Sequence, residues 1–152
     1  MIEIKENQEL KFNNLISYRA KIKRTDLEKV GRSIDEYIVR SGAKRVGNPM
    51  TATYAVDGDC LDIELLMPID TVLDSIDNYI FKKQIRIVNA VVAEYKGHPA
   101  GLQEACNEMN KYIMEHNLQP ITVAYNVTKN VDMLDPNNTE VFVYVGINPN
   151  IL

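Results

Sequence analysis

The 152 residues are 45% hydrophobic and 25% charged, with a formal net charge of −4, an ordinary balance for one globular domain. The basic clusters Lys21-Ile22-Lys23-Arg24 and Lys82-Lys83 are too short to follow a phosphate backbone in an acidic chain, so a nucleic-acid partner is not expected. No apolar run is long enough to span a bilayer, and MIEIKENQELK lacks the apolar core of a signal peptide, which predicts a cytoplasmic domain over residues 1–152 with no membrane partner.

Two cysteines, Cys60 and Cys106, have no paired spacing, which argues against a metal cluster and predicts small, buried or half-buried thiols. Neither histidine, His98 or His116, stands at ligand spacing from Cys106; no metal and no cofactor are expected.

In chain order, patchy alternation predicts a strand over about Leu15–Lys23, after an interruption at Asn13-Asn14. Thr25-Asp26-Leu27-Glu28 matches a capping box. The stripe Leu27, Val30, Ile34, Tyr37 and Ile38 predicts a first helix, and Gly42 its left-handed stop. Thr51–Val56 and Cys60–Pro68 read as two strands joined through Asp57-Gly58-Asp59. Asp70–Asn78 is a connector with room for one helical turn. Phe81–Tyr95 is extended, with a break expected near Asn89.

Then Tyr95-Lys96-Gly97-His98-Pro99-Ala100-Gly101-Leu102 closes a strand and opens a second helix running to about Asn117, with Pro99 in the first turn, where its missing N–H costs nothing. Leu102, Ala105, Met109, Tyr112, Ile113 and His116 form its stripe. His98 fits an N-terminal cap, and His116 at the far end fits the negative pole of the helix. Ile121–Thr128 and Thr139–Ile147 are the last strands, with a polar loop, Lys129–Asn138, between them.

The order strand, helix, strand, strand occurs twice. Tyr37-Ile38 answers to Tyr112-Ile113, Tyr18 to Tyr95 and Glu64 to Glu140, at offsets of 75 to 77 residues, as a duplicated unit with small insertions gives. The expected fold is α+β. Pseudo-repeats of about 15–69 and 90–147 form one antiparallel sheet, with two helices on one face and a central cleft suited to a ligand.

The words of this sequence resemble the GyrI-like effector-binding family. Tyr95-Lys96-Gly97-His98-Pro99-Ala100-Gly101-Leu102-Gln103-Glu104-Ala105 is similar to its turn and helix start. Val123-Ala124-Tyr125-Asn126 stands where it has an Ile-Tyr-x-Asn strand. Thr139-Glu140-Val141-Phe142-Val143-Tyr144-Val145 follows its Thr-Glu-Ile-Tyr-Ile-Pro-Val word, with Tyr144 in place of proline, and Ile63-Glu64-Leu65-Leu66-Met67-Pro68-Ile69 carries the same word in the first half. The resemblance implies a stand-alone effector module, without a DNA-binding domain, for small apolar or cationic molecules. Some members of that family resemble hydrolases of electrophilic natural products, and another binds a protein partner.

Glu140 is the sharpest candidate, because alternation puts Phe142 and Tyr144 on its own face, and a carboxylate beside aromatic rings suits an organic cation. Glu64 is its counterpart in the first half. Tyr95 and Tyr125 border the cleft by resemblance; Tyr112 lies on a helix stripe, where core packing competes with pocket lining. Small-molecule binding ranks first and a protein partner second. Hydrolysis ranks third, with Glu140 as general base.

Overall fold

Alternation of apolar and polar residues governs the first element. In the computed structural model, which describes residues 2–151, the chain is extended from Ile2 to Lys23 (β1), well upstream of the start expected at Leu15. Half-buried Ile2, Ile4, Glu6 and Gln8 alternate there with exposed Glu3, Lys5, Asn7 and Glu9, a period-two pattern that a purely hydrophobic reading misses because half of its inward positions are polar. Asn7 and Asn14 hold left-handed φ values of 56° and 55°. Asparagine tolerates that region better than most residues, so the strand continues through Asn13-Asn14.

The chain divides into two units: Lys11–Ile85, called the first, and the residues up to Leu10 with those from Arg86 on, called the second. The first unit holds α1 (Leu27–Arg40), β2 (Met50–Asp57) and β3 (Cys60–Pro68). β3 is central, pairing antiparallel with β1 from Leu15↔Pro68 to Lys23↔Cys60 and with β2 from Met50↔Leu66 to Asp57↔Cys60. Alternation sends Leu61, Ile63, Leu65 and Met67 to one face, where Ile34, Tyr37 and Ile38 of α1 meet them. Ile34 and Ile38 are almost free of solvent, a burial that contributes about 1.5–3 kcal/mol for each.

Only Gly58-Asp59 lies between β2 and β3, and Gly58 has a φ of 58°, which suits a type II′ hairpin with glycine at its first central position. The expected capping box at Thr25 does not form. A 3₁₀ turn, Arg24–Asp26, precedes α1 without any side-chain cap, and the Arg24 N–H donates to the Asp59 carbonyl at 2.9 Å. The 70–79 connector has no helical turn; Tyr79 stacks on Tyr37 at 4.3 Å between centroids, and the Tyr37 hydroxyl donates to the Asp74 carbonyl at 3.1 Å.

β4 (Ile80–Gly97) runs unbroken past Asn89, whose carbonyl accepts from the Ile147 N–H at 2.9 Å. The second unit also holds α2 (Leu102–Glu115), β5 (Tyr125–Asn130) and β6 (Thr139–Gly146). Here β6 is central, pairing antiparallel with β4 from Ala90↔Gly146 to Gly97↔Thr139 and with β5 from Tyr125↔Tyr144 to Asn130↔Glu140. Met109 and Ile113 of α2 pack on Val91, Ala93, Val141, Val143 and Val145. Pro99 opens a 3₁₀ turn, Pro99–Gly101, and His98 caps it by accepting from the Ala100 N–H at 3.0 Å.

β5 begins at Tyr125, four residues later than expected. Ile121 instead donates its N–H to the Gly146 carbonyl at 2.8 Å, and Thr122 Oγ1 accepts from Gly146 at 2.9 Å. Both cysteines are free. Cys60 is exposed at the hairpin, contrary to expectation, while Cys106 is half-buried, and its burial pushes the thiol pKa up. The fold is α+β, with antiparallel strands, two helices and the element order read from the sequence.

Candidate functional site

Because α2 takes up Val141, Val143 and Val145, alternation turns Glu140, Phe142 and Tyr144 to the other face of β6. Register supplies their neighbours: Tyr125 lies opposite Tyr144, Glu94 and Val127 opposite Phe142, and Lys96 opposite Glu140. Directly paired residues share a face and touch. The Glu140 side chain is 36% exposed, 3.7 Å from Lys96 Nζ. Lys129 Nζ stands 5.1 Å over the Phe142 ring, and Lys5 pairs with Glu94 at 3.1 Å. A depression of about 180 Å³ opens here, lined by Glu3, Glu94, Tyr95, Lys96, Glu140 and Phe142.

This face combines carboxylates with aromatic rings, and three lysine ammonium groups mark where positive charge is stable upon it. Tyr144 is buried; burial and the negative charge of Glu94 push its hydroxyl above the ordinary tyrosine range. It is therefore a protonated donor throughout the neutral range.

Tyr95 lines this depression although its ring packs on the α2 side, and Tyr112 stands apart from it. Tyr95 pairs with Val141 and so lies on the α2 side of the strands. Its hydroxyl donates to the His98 carbonyl and fills the space over Gly97 and Gly101. Tyr112 is half-buried on α2; its hydroxyl donates to Glu6 and its ring stacks on His116 at 3.8 Å. The structure thus gathers Glu140, Phe142, Tyr144 and Tyr125 on one face, with Tyr95 lining the depression there, and places Tyr112 apart from it.

Glu64 has a different environment from Glu140. It is 3% exposed, and its carboxylate accepts from Ser17 Oγ, from the Tyr54 hydroxyl at 2.9 Å and from Lys82 Nζ at 2.7 Å. Burial pushes the carboxyl pKa up, but hydrogen bonds from Lys82, Ser17 and Tyr54, with the charge of Lys82, more than offset this and hold it below the ordinary carboxylate value. Beside it, Arg19 lies 3.8 Å over the Tyr54 ring and makes two 3.2 Å hydrogen bonds to Asp62.

Sequence reasoning missed Lys82, Lys96, Lys129 and Glu94. Each stands in a polar or alternating stretch that reads as solvated, and only cross-strand register and the fold bring them to the carboxylates and rings.

No protein-family model matches the sequence, and no curated protein matches it. Solved structures share its fold. The EcmrR C-terminal domain matches with a TM-score of 0.78 over 97% of both chains, at 14% identity. In the cryo-EM EcmrR–DNA complex the TM-score is 0.79 at 14% identity, over 97% of this chain and 57% of EcmrR, so the chain spans little more than half the length of that protein. A hydrolase from Listeria innocua matches at 0.55 and 13% identity, over 97% of this chain and 91% of its own. SAV2435 bound to tetraphenylphosphonium matches at 0.55 and 7% identity, over 98% and 94% of the two chains. Identities this low establish a common fold.

Proposed function

We propose that this chain is a small-molecule-binding domain that senses an apolar, cationic ligand on the β6 face of its second unit, as the effector module of a transcription regulator. The observation that carries this reading is half-open Glu140 beside Phe142 and Tyr144, in a loose 3.7 Å pair with Lys96. Opening a solvent-exposed ion pair costs about 0–1 kcal/mol, and a cation over an aromatic ring recovers roughly 0.5–2 kcal/mol. Glu64 offers no such opening, because its carboxylate already has three donors within its own unit. The folds shared with the EcmrR C-terminal domain and with a protein bound to tetraphenylphosphonium support the reading. The domain is single, and its pseudo-repeats, about 15–69 and 90–147, descend from one duplicated half.

Tetraphenylphosphonium is the probe, with Glu140→Gln as the variant, since the change removes charge and keeps shape. Affinity measured by calorimetry should fall tenfold or more, about 1.4 kcal/mol, while a neutral triaryl analogue is unaffected. Aromatic cations that never bind the wild type, or that bind the variant equally well, would refute the assignment. Turnover of an electrophilic ligand, abolished by the same variant, would move the assignment to hydrolysis.

A protein partner is the second reading, favoured by the loop after β5. Met133 and Leu134 are 89% and 97% exposed there. Asp132 fixes that loop by accepting from the N–H groups of Leu134 at 2.9 Å and Asp135 at 3.2 Å. Serine at both exposed positions would abolish partner binding and leave cation binding intact.

A further inference from the structure

Besides the β6 face, the second unit carries a larger concavity of about 560 Å³ where the end of α2 meets β1 and β4, a size typical of small-molecule pockets. Its rim is built from carboxamides: Asn7, Asn89, Asn117, Gln119, Asn148 and Asn150. Ala90, Val91, Leu118 and Ile147 give it an apolar floor. Glu6 and His116 also line it; no lysine or arginine does.

We propose that this pocket binds an uncharged, polyhydroxylated ligand, a mono- or disaccharide. A carboxamide offers two donors and two acceptor lone pairs, the combination that matches hydroxyl groups acting in both senses. Several of these amides are fixed in advance. Asn148 Nδ2 donates to Gln119 Oε1 at 2.8 Å, and Asn89 Nδ2 donates to the Ile147 carbonyl at 3.3 Å. Glu6 is held by the Tyr112 hydroxyl, whose ring also braces His116. The side chains of Asn7 and Asn117 make no hydrogen bond among the described residues and so have their whole capacity for a ligand.

The backbone fixes where these two residues stand. Asn7 and Asn117 have φ values of 56° and 54°, a region asparagine tolerates better than most residues, and Asn117 uses it to end α2, its N–H donating to the Met114 carbonyl and that of Leu118 to the Ile113 carbonyl. Among the described residues a phosphorylated or carboxylated ligand finds no lysine or arginine on this rim and meets the Glu6 carboxylate. An apolar ligand would strip water from the carboxamides and return no hydrogen bonds. The apolar floor suits the C–H face of a pyranose ring.

Glycine is the informative substitution, because it keeps the left-handed backbone and removes only the carboxamide. The full chain is titrated by calorimetry and saturation-transfer NMR with neutral hexoses and their disaccharides, beside the matching hexose 6-phosphates and hexosamines. At least one neutral sugar should bind with a Kd of about 1 mM or tighter. Asn7→Gly and Asn117→Gly should each weaken it tenfold or more, with unchanged circular dichroism, and the phosphates should bind no better than the parent sugars. Glu140→Gln should leave sugar binding unchanged, so that this result and the cation result stand or fall separately. Silence across all neutral sugars, equal binding by the two glycine variants, or preference for the phosphates or hexosamines would overturn the proposal.

Discussion

Lys82→Met removes the cation that, among the described residues, is bonded to a carboxylate that is 3% exposed. What remains to Glu64 is two neutral donors, Ser17 and Tyr54. Breaking a buried pair from one side costs about 3–5 kcal/mol. Lys82 itself is 37% exposed, so water replaces part of what the ammonium supplied, and the expected loss is about 2–3 kcal/mol at pH 7. In a chain of this size that corresponds to a fall in Tm of roughly 5–10 °C.

The pH dependence carries the sign. In the wild type the folded Glu64 pKa lies below the ordinary glutamate value of 4.5, so its contribution is present above that value and is lost as pH falls through the folded pKa. In the variant, burial dominates and raises the folded pKa above the unfolded one. The carboxylate then destabilises the variant at neutral pH, and protonation relieves it. The difference between the two proteins should therefore shrink on acidification. Urea unfolding at pH 7 and near pH 4.5 measures this, and Glu64→Gln with Lys82→Met should regain about 1 kcal/mol over Lys82→Met alone. A variant within about 0.5 kcal/mol of wild type at both pH values, inside the usual range for surface substitutions, would refute the reasoning.

Gly101→Ala would drive a Cβ into the Tyr95 hydroxyl and to 3.1 Å from its Cζ, a local overpacking that costs about 1–3 kcal/mol. Calorimetric melting should show a smaller loss for Gly101→Ala in a Tyr95→Phe background than in the wild type, because the hydroxyl is gone. The Tyr112 pKa is raised, first by its hydrogen bond to Glu6, then by burial and by the charge of Glu6. Glu6→Gln should therefore move one tyrosine to a lower pH in a spectrophotometric titration, and an unchanged curve would contradict that bond.

The helices were the most legible part of the sequence, since the stripe through Ile34, Tyr37 and Ile38 and the one through Met109 and Ile113 needed only their spacing. Strand ends were less so. The start of β1 lies in IEIKENQEL, whose inward positions include Glu6 and Gln8, and hydrophobicity alone cannot register a polar inward residue. At the candidate site, the shared face of Glu140, Phe142 and Tyr144 followed from alternation within one strand. Lys96 across from Glu140, or Lys82 against Glu64, depends on register and on long-range packing, which no local pattern encodes. The same limit hid the difference between the two glutamates. Their words match, but one is surrounded by donors and the other stands half-open.

The division of the chain bears on the order in which it is made. Lys11–Ile85 is one continuous segment, so every residue of the first unit is available once Ile85 has left the ribosome, and N-terminal units generally fold first during synthesis. The second unit joins the residues up to Leu10 with those from Arg86 on. Its bonds between Glu9 and Arg86 and between Glu6 and Tyr112 close separations of 77 and 106 positions. Loop-closure entropy grows only logarithmically with such lengths, so the consequence is one of timing more than of stability. Residues Ile2 to Leu10 wait through the synthesis of their partners, an alternating strand with no ladder to join. A chaperone or an early intermediate holding that stretch would favour correct assembly, and a stalled chain ending before β4 would present it as an unpaired edge.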